Sequence, residues 1–319
     1  PFRFMNRVKW NTLFSYSKLK QKKYKNYVSL VKLNNDKLSN KLGLLISDGG
    51  LLINKYFDNK KIENFLNEYK DLIDKEREYL NNNRNENLKS KNNFYVYRVI
   101  NLHLSQALVD IWLDDNIIQF LEYYLGRKIH AREYPRLVYT KYFFEEDLTS
   151  KDEFNGKYKN SDVKVPYFWH TDHTAGLISL HILLEDIDLN STHMQYLPGS
   201  NKFLNSRDLY SDQTVANFKN QPVNCIGKKG TIYFHSGNTL HRVVGRKNSS
   251  RLGLIFSFSP GSGIELDCER ISKAFSKNFN IKNLPMKKRE ILKGIYPIGG
   301  NYDLVKDNFL KPKFDEQIN

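Results

Sequence analysis

The chain has 319 residues, 40% hydrophobic and 27% charged, with twenty Phe and twenty Tyr. That is enough apolar mass for a large folded domain and too much for a disordered chain. No apolar run reaches the ~20 residues a membrane-crossing helix requires. Two cysteines, Cys225 and Cys268, exclude a disulfide scaffold or a Cys-rich zinc site and point to a reducing, cytoplasmic compartment.

Fifty Lys and Arg against 35 Asp and Glu give a net charge of +15, which brings nucleic acid, anionic lipid and acidic small molecules into consideration. The charge is concentrated at the start. Before Asp36 there is no acidic residue, whereas Arg3, Arg7, Lys9, Lys18, Lys20, Lys22, Lys23, Lys25 and Lys32 carry nine of the net charges. Residues 1–35 are therefore read as a basic arm, either plainly solvated or, through interleaved Phe2, Phe4, Trp10 and Phe14, a surface that touches a membrane.

Residues 36–319 read as one domain in three parts. In 36–135, mainly helical, two short apolar runs, Leu44–Ile46 and Leu51–Ile53, flank the turn residues Ser47 to Gly50. Ile62, Phe65, Leu66, Tyr69, Leu72 and Ile73 then recur at helical spacing, predicting a helix near 60–80 capped by Asp58 or Asn59. The Asn-rich stretch 81–93 reads as a loop. A second helical zone covers 104–125, with Asp114, Asp115 and Asn116 as its dividing point. In 136–261 the pattern turns to strands at 136–144, 167–170, 177–184, 194–197, 230–234 and 251–259, interrupted by a polar insertion at 145–164 of lid-like length. Short strands without alternating helices predict an antiparallel sandwich or barrel. The part from 262 to 319 reads as helical, fading into a Lys-rich tail.

Among eight histidines, two carry chemical weight. His170-Thr171-Asp172 sets an imidazole and a carboxylate two apart, on one side of an extended strand; a further His would complete a two-His, one-carboxylate face suited to Fe(II). By itself the triplet is equally a surface His bonded to a carboxylate. His241 supplies the candidate third ligand, since it opens an apolar run after the Ser236-Gly237-Asn238 turn. Ten residues on, Arg251 shares a strand face with Gly253, Ile255, Ser257 and Ser259, opposite Leu252, Leu254, Phe256 and Phe258. Pointing inward it would need an anionic partner; on the surface it would need none. Alternation turns Arg242 away from the His241 side chain.

Trp169-His170-Thr171-Asp172, Leu184-Glu185-Asp186-Ile187-Asp188, Leu197-Pro198-Gly199-Ser200-Asn201-Lys202, Leu240-His241 and Arg251, in that order, resemble the phytanoyl-CoA dioxygenase-like family over about 136–261. The segment Asp48 to Ile53 looks like that family's first strand. The resemblance implies a mainly β fold with flanking helices, a double-stranded β-helix of the jelly-roll or cupin type, and an Fe(II)- and 2-oxoglutarate-dependent dioxygenase consuming O2. By position, His170, Asp172 and His241 correspond to the iron ligands and Arg251 to the partner of the distal 2-oxoglutarate carboxylate. Lys141 corresponds to a cosubstrate contact or an edge lysine. Thr171 and His181, with Ser257 on the face of Arg251, line the cosubstrate pocket or simply pack. His103, His130 and His193 are expected to be structural and His235 a bystander. Asp172 favours oxygenation over halogenation, because related halogenases carry a small residue there. The expected reaction is hydroxylation of a C–H bond of a small, anionic molecule, with release of succinate and CO2; desaturation and cyclisation stay open. The alternatives are a cupin-like metal enzyme that ignores 2-oxoglutarate and a nucleic-acid-modifying oxygenase, the latter disfavoured because no DNA-reading motif appears.

Overall fold

A computed structural model describes residues 38, 40–82, 95–100, 102–126, 128–131, 135–142, 169–172, 177–202, 209–210, 215–246, 249–260 and 279–292. The basic arm, most of the Asn-rich loop, the 145–164 insertion, Tyr167, Phe168, His173 and most of the C-terminal part lie outside these residues.

The first apolar run is helical rather than extended: α1 (Leu42–Asp48) turns Leu42 and Leu45 inward and ends at Gly49, whose φ of 73° is the left-handed conformation glycine tolerates. The second run is strand β1 (Gly50–Ile53). The next helical zone is two helices, α2 (Asn59–Glu68) and α3 (Lys70–Asn82). The Asp58 carboxylate caps α2 by accepting from the Lys61 amide at 2.7 Å. They part at buried Tyr69, whose hydroxyl donates to the His103 carbonyl at 2.6 Å. Helices α4 (Gln106–Trp112) and α5 (Asp115–Leu125) divide where the sequence suggested. Asp114 accepts from the amides of Asn116 and Ile117 at 3.2 Å each and starts the second helix.

Two antiparallel sheets face each other as a double-stranded β-helix. The larger runs in the order β1, β10 (Ile232–Ser236), β6 (Ile178–Leu183), β12 (Ser250–Pro260), β4 (Arg136–Tyr142), β2 (Tyr95–Ile100), with β3 (Ile129–Ala131) pairing with β12. The smaller runs β8 (Leu209–Tyr210), β5 (Trp169–His170), β11 (His241–Val244), β7 (His193–Tyr196), β9 (Val223–Cys225). Strands β2, β3, β8 and β9 were not anticipated. A short helix α6 (Met286–Leu292) buries Ile291 and Leu292.

Alternation assigns the two faces of the larger sheet. Leu180, Ile182, Phe234, Leu252, Leu254, Phe256 and Phe258 join Leu108, Ile111, Trp112, Ile117 and Phe120 in one buried cluster. Trp112 stacks on Phe256 with centroids 6.2 Å apart, and Phe120 meets Phe234 at 5.5 Å. The opposite face looks into the barrel, where Leu183 and Tyr233 meet Met194, Tyr196 and Cys225 of the smaller sheet. The helices thus hold the larger sheet from behind and leave its inner face for polar residues.

Gly50 fixes how closely the sheets approach. A Cβ there would lie 2.3 Å from the Tyr196 ring, so Gly50→Ala is expected to lower stability by about 1–3 kcal/mol through overpacking. Urea unfolding should show a lower midpoint at unchanged slope; an unaltered midpoint would mean that Tyr196 swings away freely.

Candidate metal centre and inner pocket

His170 ends β5 and pairs directly with His241 at the start of β11. Directly opposed residues share a face, so both imidazoles enter the barrel, with ring centroids 4.3 Å apart. Beyond Thr171 the chain has left the strand, and Asp172 turns back to bring Oδ1 to 3.6 Å from His241 Nε2. One donor atom from each of His170, Asp172 and His241 falls in a group spanning no more than 4.8 Å. The Asp172 side chain is 32% exposed and that of His241 only 6%, so the group opens to solvent on the carboxylate side.

The backbone prepares His241 as a ligand. Its Nδ1 lies 2.9 Å from the Thr239 carbonyl; that nitrogen donates, leaving the Nε2 lone pair facing Asp172. Burial, reinforced by the neighbouring His235 and opposed by Asp172, pushes His241 down to about 4, so the ring is neutral at physiological pH, as metal binding demands. Burial works to raise the Asp172 carboxyl, but His241, His235, His170 and Arg136 outweigh it and hold it below the usual range. Two imidazole nitrogens and a carboxylate oxygen are a donor set that fits non-haem Fe(II).

On the inner face of the larger sheet stands Arg251. It is 5% exposed, and its Nη1 is buried without a hydrogen-bond partner. The register opposes it to Thr140, 2% exposed, whose Oγ1 is likewise buried without a hydrogen-bond partner. A guanidinium edge and a hydroxyl unsatisfied side by side are costly unless an acceptor arrives between them, and a carboxylate is the matching acceptor. Ser257 opposes Ser179, both buried on this face; Thr171 is buried between the two ligand candidates. His181, opposite Ile255, joins the inner wall.

For Lys141 the register favours the edge lysine over the cosubstrate contact. It pairs with Ser250 rather than with Arg251, so alternation sets it on the helix-packed face and Thr140 takes the inner position. Arg136 was not anticipated either. Opposed to Ile255, it shares the inner face with Arg251, and its charge acts on Asp172, His181 and His235. His235, read as a bystander, lies with its ring 4.1 Å from that of His241. His103, His193 and Arg242 have partners away from the candidate ligands. His103 bonds to Glu68 at 3.0 Å, and buried His193 is held by the Ser191 carbonyl and Asn224. Arg242 points away, donating to Gln195 at 2.9 Å over the Trp169 ring.

A jelly-roll barrel with two imidazoles and a carboxylate on its inner wall is the frame of a metal-dependent oxygenase. The model of the phytanoyl-CoA dioxygenase (PhyH) family matches residues 46–251, more than half of the chain, and the protein belongs to that family. It is an Fe(II)- and 2-oxoglutarate-dependent oxygenase. Similar solved structures include the non-heme alpha ketoglutarate dependent epimerase SnoN from nogalamycin biosynthesis, 15% identical, with a TM-score of 0.46 over 70% of this chain and 81% of SnoN. EctD from S. alaskensis with bound Fe is 14% identical, with a TM-score of 0.47 over 71% of this chain and 78% of EctD. The carbocyclase SnoK from nogalamycin biosynthesis is 14% identical, with a TM-score of 0.43 over 71% and 84%. No curated protein matches the chain.

Proposed function

We propose that the protein hydroxylates a C–H bond of a small, anionic molecule, coupling it to conversion of 2-oxoglutarate and O2 into succinate and CO2. The observation that carries this is the pair of unsatisfied buried groups, Arg251 Nη1 and Thr140 Oγ1, on the inner face of the larger sheet, with the three candidate ligands presented by the smaller sheet. A metal-only cupin would have no use for such a receiver.

In this reading His170, Asp172 and His241 hold the iron, and Arg251 with Thr140 holds the distal carboxylate of the cosubstrate. When bound, iron and 2-oxoglutarate supply the oxidising power that activates O2 for attack on a C–H bond. The protein's own contribution is geometric and electrostatic. His241 keeps its proton on Nδ1 by donating to Thr239, so no proton must leave Nε2 when the metal binds. Asp172 stays ionised and offsets part of the metal charge. Thr171 and Ser257, both buried, keep water from the inner side. Arg136, half-buried on the same wall, supports an anionic substrate. The division into a basic arm at 1–35 and one oxygenase domain at 36–319 belongs to the same proposal, as does a cytoplasmic location; among the described residues no helix is long and apolar enough to cross a membrane.

The test is anaerobic titration of the Fe(II)-loaded protein with 2-oxoglutarate. A weak visible absorption band growing to a stoichiometric end point is expected, followed in air by succinate formation that rises when a true substrate is added. Iron binding without the band would sink the 2-oxoglutarate reading and favour the metal-only cupin.

A further inference from the structure

Two imidazoles on the inner wall have no part in this mechanism. His181 and His235 are 6% and 3% exposed, and their Nε2 atoms lie 3.1 Å apart. A single proton occupies that contact, so one ring donates and the other accepts, and burial pushes each below the ordinary histidine range. The His181 ring lies nearly parallel on Tyr233, with centroids 4.5 Å apart and an interplanar angle of 11°. The His235 ring in turn covers His241 at 4.1 Å and 36°. Tyr233, His181 and His235 therefore form a continuous buttress that ends on a candidate ligand.

An imidazole anchored only through Nδ1 can still pivot about that hydrogen bond, and the pivot moves Nε2. His241 has the anchor, the Thr239 carbonyl at 2.9 Å. Its ring is flanked by His170 at 4.3 Å and by His235 at 4.1 Å, and His235 in turn is held by its bond to His181. A buried polar pair is costly beside an apolar filling of equal volume, but its directed hydrogen bond fixes a single arrangement. We propose that His235 is a positioning residue for the metal ligand His241, and that His181 acts on the metal only through His235. This rests on the reading of His241 as an iron ligand. It assigns to the pair a role that neither packing nor cosubstrate contact describes.

Co(II), added alone and without oxygen, is a suitable probe because its visible ligand-field bands report ligand geometry. His235→Ala is expected to weaken Co(II) binding about 10- to 100-fold, the usual cost of removing an outer partner of a ligand, and to shift the bands. His235→Phe restores a ring face against His241 and should recover part of the affinity. His235→Gln keeps hydrogen-bonding capacity without a ring and should not. His181→Phe preserves the stack on Tyr233 while cutting the hydrogen bond. It should weaken Co(II) binding several-fold in the wild type and have no further effect in the His235→Ala background. Equal losses in both backgrounds would overturn the relay. Wild-type affinity and bands in every His235 variant would overturn the positioning role. Thermal unfolding of the metal-free variants separates a folding defect from either result, and His181→Phe keeps the test alive if His235→Ala does not fold. A wild type that binds no Co(II) would overturn the metal reading itself, which unaffected variants of a Co(II)-binding wild type would leave standing.

Discussion

Arg251→Ala should weaken 2-oxoglutarate binding by about 30- to 4,000-fold while leaving Fe(II) affinity nearly unchanged. The range follows from the ~2–5 kcal/mol lost when one partner of a buried, hydrogen-bonded charge pair is truncated, at about 1.4 kcal/mol per factor of ten. Arg251 is buried with Nη1 unsatisfied, so a bound carboxylate would meet a donor already stripped of water. The three candidate ligands come from β5, the turn after it and β11, all outside β12, which is why metal binding should survive. Thr140→Val, nearly the same shape, removes only a neutral hydroxyl and should cost ~0.5–1.5 kcal/mol, or about 2- to 13-fold. Lys141→Ala should have no effect on this titration, since the register sets Lys141 on the opposite face. Undiminished 2-oxoglutarate binding in Arg251→Ala would refute the receiver, and a large loss in Lys141→Ala would refute the assignment of faces.

These expectations differ in how early they could be drawn. His170 and Asp172 are legible because they sit two residues apart in one motif, and His241 and Arg251 because turn and strand patterns mark their setting. The inward face of β12 was also legible, since Leu252, Leu254, Phe256 and Phe258 alternate with it and all four join the helix-backed core. Thr140, Arg136 and His235 were not. Each gains its significance from a partner on another strand: Arg251 opposite Thr140, Ile255 opposite Arg136, and His181 beside His235. A one-residue change of register would have exchanged Thr140 for Lys141, and no local pattern fixes that register. The helix α1 was missed for a related reason. Leu44-Leu45-Ile46 is too short to show a period, and helical geometry there follows from burying Leu42 and Leu45 while Leu44 stays exposed.

The buried histidines also make the metal-free protein sensitive to acid. His241 falls from 6.5 to about 4 on folding, with burial the largest cause, and burial likewise lowers His181, His235 and His193. A histidine lowered by folding stays neutral in the native state while the unfolded chain takes up a proton below about 6.5. The unfolded state then binds more protons, so stability is complete above that pH and is lost progressively as pH falls toward 4. Asp172 does not offset this, because its carboxyl is lowered and its own contribution disappears only below its unfolded value near 3.8. From His241 alone, lowering the pH from 7.5 to 5 should remove about 2 kcal/mol, at about 1.4 kcal/mol per unit of separation below 6.5; the other three histidines add in the same direction. Urea unfolding of the metal-free protein at the two pH values should show the lower midpoint at pH 5 with an unchanged slope. Replacing both His181 and His235 with Phe should flatten the dependence, since two of the contributing imidazoles are gone. A divalent metal bound to the native state should raise stability at both pH values, by less at pH 5, because protons taken up by His241 in the folded chain begin to compete for the same lone pair. Equal stability at pH 7.5 and pH 5 would show that these imidazoles titrate alike in the folded and unfolded chain, so that folding does not hold them neutral.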